Sequence, residues 1–328
     1  ITFIAKDLQN KEISRSSVNV NVLSQTPINT TPIQTKPEPI TPLLKLYVNP
    51  NNPAQMQAKE WAISRPVDSQ IMEKIGNQST AKWFGGWNAD ITGDVSKYVQ
   101  AAKSKNSLPT LVIYNIPNRD CGSYSSGGAD SNNSYLSWIQ KVSNGLEATK
   151  VIIILEPDSL ANIDCLSIKL KTERYSMLKR AIEIIKTNNP SSMVYIDAGH
   201  SKWINANEIA NRLNSAGISL ANGFSLNVSN FISTEENIVY GQTVSNLTNK
   251  SHFVIDTSRN GVGSNGEWCN PSGRALGKTP TLSTGNILID AFLWIKVPGE
   301  SDGNCNGGPN AGVWWPEYAL DMAKRAGY

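Results

Sequence analysis

Nine polar side chains, Tyr114, Asp120, Glu156, Asp158, Asp197, Asp256, Lys296, Glu300 and Asp302, fall at or just after the ends of short apolar runs that read as β-strands. In a barrel of parallel strands, the rim at the C-terminal strand ends carries the chemistry. Any one of these carboxylates is equally well read as the N-cap of a following helix, Asp158 and Ser159 after Pro157 included. Nine at one rim are more than caps account for. The rim is rich in carboxylates, while the whole chain holds only 2 His and 4 Cys and contains neither HExxH nor CxxC. That stock is too small for most zinc or copper sites and for most Ser-His or Cys-His relays. A site rich in carboxylates, poor in histidine and lined with aromatics suggests glycosidic-bond hydrolysis, in which one carboxylic acid protonates the leaving oxygen. Burial or a second carboxylate must keep its proton in place near neutral pH. His200, close to Asp197, reads either as a general base or as a structural or substrate hydrogen-bond donor. Trp83, Trp87, Trp203, Trp294, Trp314 and Trp315 offer flat apolar faces on which a pyranose ring stacks, although a tryptophan taken alone more often belongs to a core.

The elements that must position these residues are legible as alternating runs. LLKLYVN, KWFGGW, TLVIYNI, KVIIILEP, MVYIDAG, GFSLNV, HFVIDTS and AFLWIKV are eight strand candidates. Between them lie helical patterns, such as Tyr175, Leu178, Ile182 and Ile185 within Thr172 to Thr187, and Tyr135, Trp138, Ile139 and Val142 within Ser134 to Glu147. Strands and helices alternating in this way predict a closed parallel β/α barrel, with an open doubly wound sheet as the alternative. Upstream, Ile1 to Leu23 alternates at Val18, Val20 and Val22 and reads as the tail of a truncated β-rich module. Residues 24–42 hold 5 of the 17 Pro and read as an extended Pro/Thr linker, leaving 43–328 as the catalytic domain.

Composition excludes other classes. With 328 residues, 39% hydrophobic and 17% charged, the chain is too apolar to be disordered. A net charge of +3 without a basic run gives no electrostatic grip on nucleic acid. No run of about eighteen apolar residues predicts a membrane span, and a first residue other than Met suggests part of a longer chain. Four widely spaced cysteines suit two disulfides in an oxidising compartment, hence secretion. GVGSNG at Gly261 to Gly266 has the GxGxxG spacing but runs into Trp268, Cys269 and Pro271 rather than a helix, so it reads as a loop. GRALGKT fails the phosphate-loop spacing because Ser272 stands where a glycine is needed.

The strings YNIPNRDCG (Tyr114 to Gly122), ILEPDS (Ile154 to Ser159), YIDAGHSKW (Tyr195 to Trp203), VIDTSRNG (Val254 to Gly261), EWCNPSGRALG (Glu267 to Gly277) and DAFLWIKVPGESDG (Asp290 to Gly303) resemble, in order, glycoside hydrolase family 6. These are the cellulases comprising endoglucanases and cellobiohydrolases, and the resemblance runs from about Leu43 to Tyr328. It implies a distorted, incompletely closed seven-stranded β/α barrel, so that one of the eight candidate strands lies outside it. It also implies inverting hydrolysis of β-1,4-glucan without cofactor or metal. Cellulose or other β-glucan chains and cello-oligosaccharides would be the binding partners of a monomeric enzyme.

Carried over by residue, the resemblance makes Asp158 the general acid and Asp120 the group that keeps it protonated. Tyr114 crowds the sugar at the cleavage point and Ser126 holds a water. Asp302 is one candidate base, and a water chain through Ser126 to Asp120 is the other. Asp197, His200, Asn230, Lys296 and Glu300 match sugar-binding positions, and Trp83, Trp203 and Trp294 match stacking platforms. Cys121 would pair with Cys165 and Cys269 with Cys305. WFGGWN at Trp83 to Asn88 departs from the pattern. GNCNGGPNAGV before Trp314 is too short for a lid, which predicts an open cleft and endo action, with exo action as the alternative. A non-catalytic glucan-binding relic would have lost Asp120 and Asp158, and both are present; another β-glycan handled by the same residues stays open.

Overall fold

The structure is a computed structural model that describes residues 2–7, 9–17 and 45–328. The expected linker and the alternation at Val18 to Val22 lie outside the described residues. The chain divides into two units, Ile1–Leu43 and Leu44–Tyr328. In the first, β1 (Thr2–Lys6) pairs antiparallel with β2 (Glu12–Ser17). Their turn is held by Asp7, whose Oδ1 accepts from the Gln9 and Lys11 amides at 3.0 and 2.8 Å.

The second unit runs β3 (Lys45–Leu46), α1 (Pro53–Trp61), α2 (Pro66–Gly76), β4 (Lys82–Gly85), α3 (Ile91–Ser104), β5 (Ser107–Leu108), β6 (Thr110–Tyr114), α4 (Asn132–Gly145), β7 (Ile152–Leu155), α5 (Ile168–Asn188), β8 (Met193–Asp197), α6 (Ala206–Ser215), β9 (Gly223–Leu226), α7 (Thr234–Leu247), β10 (His252–Asp256), β11 (Ile289–Leu293) and α8 (Pro316–Arg325). Seven strands form one parallel sheet in the order β4-β6-β7-β8-β9-β10-β11. The sheet curls until its edges touch at one point, where Ala81 N donates to Trp294 O at 2.9 Å and Thr80 bridges Trp294. It is therefore the incompletely closed barrel expected of the family resemblance. The eighth candidate, LLKLYVN, is corrected: among its described residues, 45–49, only Lys45–Leu46 is strand, and it pairs with β5 in a separate two-stranded sheet.

Strand alternation explains what faces where. Leu111 and Ile113, Ile153 and Leu155, Val194 and Ile196, and Phe253 and Ile255 pack outward under the helices in one core. Val112, Ile154, Tyr195, Val254, Ala291 and Leu293 point inward and fill the barrel as another. Each fully buried aliphatic side chain contributes about 1.5–3 kcal/mol, so the two faces fix the register of every strand. The inward phase carries Tyr114, Asp197 and Asp256 to the barrel mouth at the strand ends. The helices are capped by other residues, namely Asn52, Asp90, Ser131, Ser167, Asn205 and Ser233. Capping therefore does not explain the rim carboxylates. Among the described residues no helix is long and apolar enough to cross a membrane.

Two disulfides, Cys121–Cys165 and Cys269–Cys305, close loops of 44 and 36 residues. Each tethers a rim loop, the first bearing Asp120 and the second Asp302. Removing either pair as Cys→Ser is expected to cost about 2–4 kcal/mol in urea unfolding through lost loop-closure constraint. A thiol titration of the denatured, unreduced protein should find no free sulfhydryl.

Candidate active site

Three buried carboxylates build the mouth of the barrel. Glu156, after β7, accepts from the Asn115 and Ile116 amides beyond β6, each at 3.0 Å. Asp197, closing β8, accepts from the Asp158 amide at 2.9 Å, the Gly199 amide at 3.3 Å and the Ser225 hydroxyl at 3.1 Å. Asp256, closing β10, accepts from the amides of Ser229, Ser258, Ile295 and Lys296. Each therefore ties its own strand end to the loop leaving another strand. Burial pushes the Glu156 and Asp197 carboxyls up to about 7 against the opposing effect of those N–H donors, and raises Asp256 as well.

Asp158 sits above this layer and faces the cleft. Its carboxyl is held far above the usual range by burial first, then by the charges of Asp197, Asp120 and Asp302. Asp120 is raised too, mainly by burial, while its Oδ2 accepts from the Ser125 amide at 2.8 Å. Arg119, which sequence reasoning missed, shapes this loop: its guanidinium donates to the carbonyls of Ser125 (2.7 Å), Tyr114 (2.7 Å) and Ser126 (3.1 Å), and lies 4.4 Å over the Tyr114 ring. Tyr114 stands edge-on to Trp83 with centroids 5.4 Å apart. Ser126 lines the cleft beside Asp120.

Asp302 has the opposite environment. Burial alone would raise its carboxyl, but the Arg259 and Lys296 cations outweigh it and hold it below the usual carboxylate range. Arg259 Nη1 donates to Oδ2 at 2.9 Å, the Asn270 amide does so at 3.1 Å, and Lys296 Nζ lies 3.5 Å from Oδ1. Arg259 was also missed; VIDTSRNG placed it just past β10, but nothing in the sequence paired it with Asp302. His200 is lowered to about 4, by burial first and then by Lys202. Its Nδ1 accepts from the Lys202 amide at 3.2 Å, which leaves Nε2 as a donor. It fits the donor reading and not the general base. Glu300, raised by burial, faces the cleft with Lys296, and Asn230 lies on the same wall.

Tyr114, Arg119, Asp120, Ser126, Asp158, His200, Asn230, Lys296, Glu300 and Asp302 line one cleft of about 1150 Å³. Trp203 (37% exposed), Trp87 (56%) and Trp268 (52%) present open indole faces to it, with Trp83 deeper. Two expected sugar contacts are corrected. Trp294 is 1% exposed, packs with Leu276 and Tyr318 on the outside of the barrel, and donates Nε1 to Lys278 O at 3.0 Å. Asp197 is completely buried beneath the cleft and acts on Asp158 rather than on a ligand. Trp314 and Trp315 pack against the same outer cluster as Trp294. Trp268, absent from the sequence-based set, takes the place in the cleft expected of Trp294; its only sequence signal is its position directly before Cys269.

Residues 43–326 match the model of Glycosyl hydrolases family 6. Endoglucanase A of Cellulomonas fimi is 44% identical over 87% of the chain, and the alignment spans 62% of that longer protein. Endoglucanase 1 of Streptomyces halstedii is 44% identical over 87% of the chain and 90% of its own length. The solved structure of a Mycobacterium tuberculosis endoglucanase, in complex with methyl-cellobiosyl-4-deoxy-4-thio-β-D-cellobioside, superposes with a TM-score of 0.82 at 44% identity. It covers 87% of this chain and 98% of that one.

The electrostatics give a direct expectation. In carboxyl-selective NMR titration Asp158 should titrate well above the ordinary aspartate range. Asp120→Asn removes a neighbouring negative charge that disfavours ionisation, so the Asp158 midpoint should fall. His200 should stay neutral from pH 8 down to about 4.

Proposed function

The chain belongs to family 6 of the glycosyl hydrolases, and we propose that it cuts internal β-1,4 bonds of cellulose or related β-glucan with inversion at the anomeric carbon. The observation that carries this reading is Asp158, a carboxyl kept protonated by burial and by three other carboxylates at the floor of an aromatic-lined cleft. Asp158 gives its proton to the leaving oxygen while Trp203, Trp87 and Trp268 hold glucosyl faces along the cleft. Tyr114 crowds the ring at the cleavage point.

On the opposite face a water attacks the anomeric carbon, and its proton must go to a base. Asp302 is held ionised by Arg259 and Lys296, and a carboxylate so paired is a weak acceptor that serves better to balance charge. Asp120 has a raised proton affinity, and the Ser125 amide it binds directly precedes Ser126. We assign it the base role through a water held by Ser126. Asp120 then gains a proton as Asp158 loses one, and the net charge of the site is unchanged across the step. His200 Nε2, Lys296, Glu300 and Asn230 supply polar contacts to sugar hydroxyls.

The short segment Gly303 to Val313 between Asp302 and Trp314 supports an open cleft and endo action. The two disulfides support secretion, residues 24–42 a linker to a further N-terminal module, and the self-contained cleft a monomer. On soluble carboxymethyl-cellulose, viscosity should fall steeply while few reducing ends form; ends without a viscosity loss would mean exo action. Proton NMR of early products from cellohexaose should show the α-anomer. Asp158→Asn should lower turnover on unactivated glucan by about 10²–10⁴-fold with oligosaccharide binding retained. Near-normal turnover would overturn the assignment.

A further inference from the structure

The loop carrying Asp120 and the loop carrying Asp302 meet at one side chain, Tyr124. Its ring lies on the backbone of Gly303, the residue after Asp302, so closely that a Cβ built there would stand 2.6 Å from Tyr124 Cγ. The same ring is tilted against Trp268 with centroids 5.9 Å apart, and Trp268 adjoins the Cys269–Cys305 bridge. Tyr124 is 51% exposed, so hydrophobic burial is not its main role. Its neighbour in sequence, Ser125, supplies the amide that binds the Asp120 carboxylate at 2.8 Å. Ser123 N donates to Asp120 O at 2.9 Å, and Ser126 N to Ser123 O at 3.0 Å, so the turn wraps around Asp120 with Tyr124 at its tip.

Arg119 and Cys121–Cys165 fasten this turn to β6 and to the segment after β7. Neither reaches the Asp302 loop. We propose that Tyr124 is a positioning residue for hydrolysis: by resting on Gly303 and Trp268 it locks the Asp120 turn against the Asp302 loop, and so sets where Asp120 stands relative to Asp158 and the attacking water. The contact is made by the ring, and the hydroxyl takes no part in it. A polar side chain long enough to reach Gly303 would not serve, because the site needs a rigid face laid on a bare backbone. Glycine at 303 is what admits that face.

The inference rests on the proposed hydrolysis, and the wild-type assay separates the two. If wild type does not cleave β-glucan the functional reading fails; if it does, the variants test Tyr124 alone. Tyr124→Ala should lower kcat roughly tenfold, within the range carried by misplacing a catalytic group by up to about 1 Å, with KM changed less than about twofold. The titratable groups facing Asp158 are Asp197, Asp120, Asp302, Lys296 and Tyr114, the last neutral across the working range. Letting Asp120 drift away and water enter therefore favours ionised Asp158, and the alkaline limb of the kcat profile should move to lower pH. Tyr124→Phe should restore wild-type kcat and pH profile.

Gly303→Ala displaces the ring and also strains the backbone at a φ of +156°, so its own activity is the baseline, and adding Tyr124→Ala to it should cost no further activity. Melting temperatures measured alongside identify any variant that fails to fold, and the Phe variant and the Gly303→Ala background keep the test decisive in that case. An unchanged kcat and alkaline limb in Tyr124→Ala, a Phe variant as poor as the Ala variant, or a full Tyr124→Ala loss on top of Gly303→Ala would each overturn the proposal.

Discussion

The hydrogen bond from the Asp158 amide to the Asp197 carboxylate does two jobs that the rest of the site depends on. It fixes the backbone of the acid at the strand end, and it brings a second carboxylate close enough that Asp158 resists ionising. Both effects need Asp197 to be buried. In water its charge would be screened, and the amide would bond to solvent as readily as to the carboxylate. Asp197 is in turn satisfied by Gly199 and Ser225, so that its burial does not leave unpaired oxygens. A residue expected to touch sugar thus acts one layer below, through the acid.

The site contains carboxylates driven in opposite directions by their surroundings. Asp158, Asp120 and Glu300 are buried with too little positive charge to offset it, and their proton affinity rises. Asp302 is buried more deeply than Asp120, yet Arg259 and Lys296 reverse the balance. A division into proton-holding and charge-holding carboxyls is what acid-assisted bond cleavage requires, and one fold achieves it by pairing Asp302 directly with two cations, Arg259 and Lys296. The two disulfides matter in this light because they tether the loops on which the two kinds of carboxylate sit.

Much of this was legible in the sequence, for identifiable reasons. Seven apolar runs became the seven sheet strands because parallel strands buried on both faces need continuous apolar residues. Asp120 and Asp158 were legible as two of nine polar residues at strand ends, and it was the family resemblance that singled them out. The error at Trp294 was avoidable: along β11 and its extension Ala291, Leu293 and Ile295 point inward, so Trp294 has the outward phase of Phe292. Trp268 lies in a loop without periodicity, and nothing local gives its direction. Arg119 and Arg259 were invisible for a different reason, since each is defined by carbonyls or a carboxylate brought to it by folding.

Backbone conformation at the rim completes the account. Asp120, Cys121, Glu156 and Asp158 all have left-handed φ, at 55°, 49°, 51° and 67°. For residues with a side chain this costs about 1–2 kcal/mol each, and none is a glycine that would relieve it. The strain persists because the surroundings over-determine each position. Cys121 is bonded to Cys165, the Glu156 carboxylate holds two amides, the Asp158 amide is held by Asp197, and the Asp120 carboxylate by Ser125. Glycine would relax the backbone, but at 120, 121 and 156 it would remove the side chain that does the holding, and at 158 the acid itself. The rim therefore keeps its strain where its carboxylates are, and the buried hydrogen bonds that offset the strain are the same ones that aim the acid.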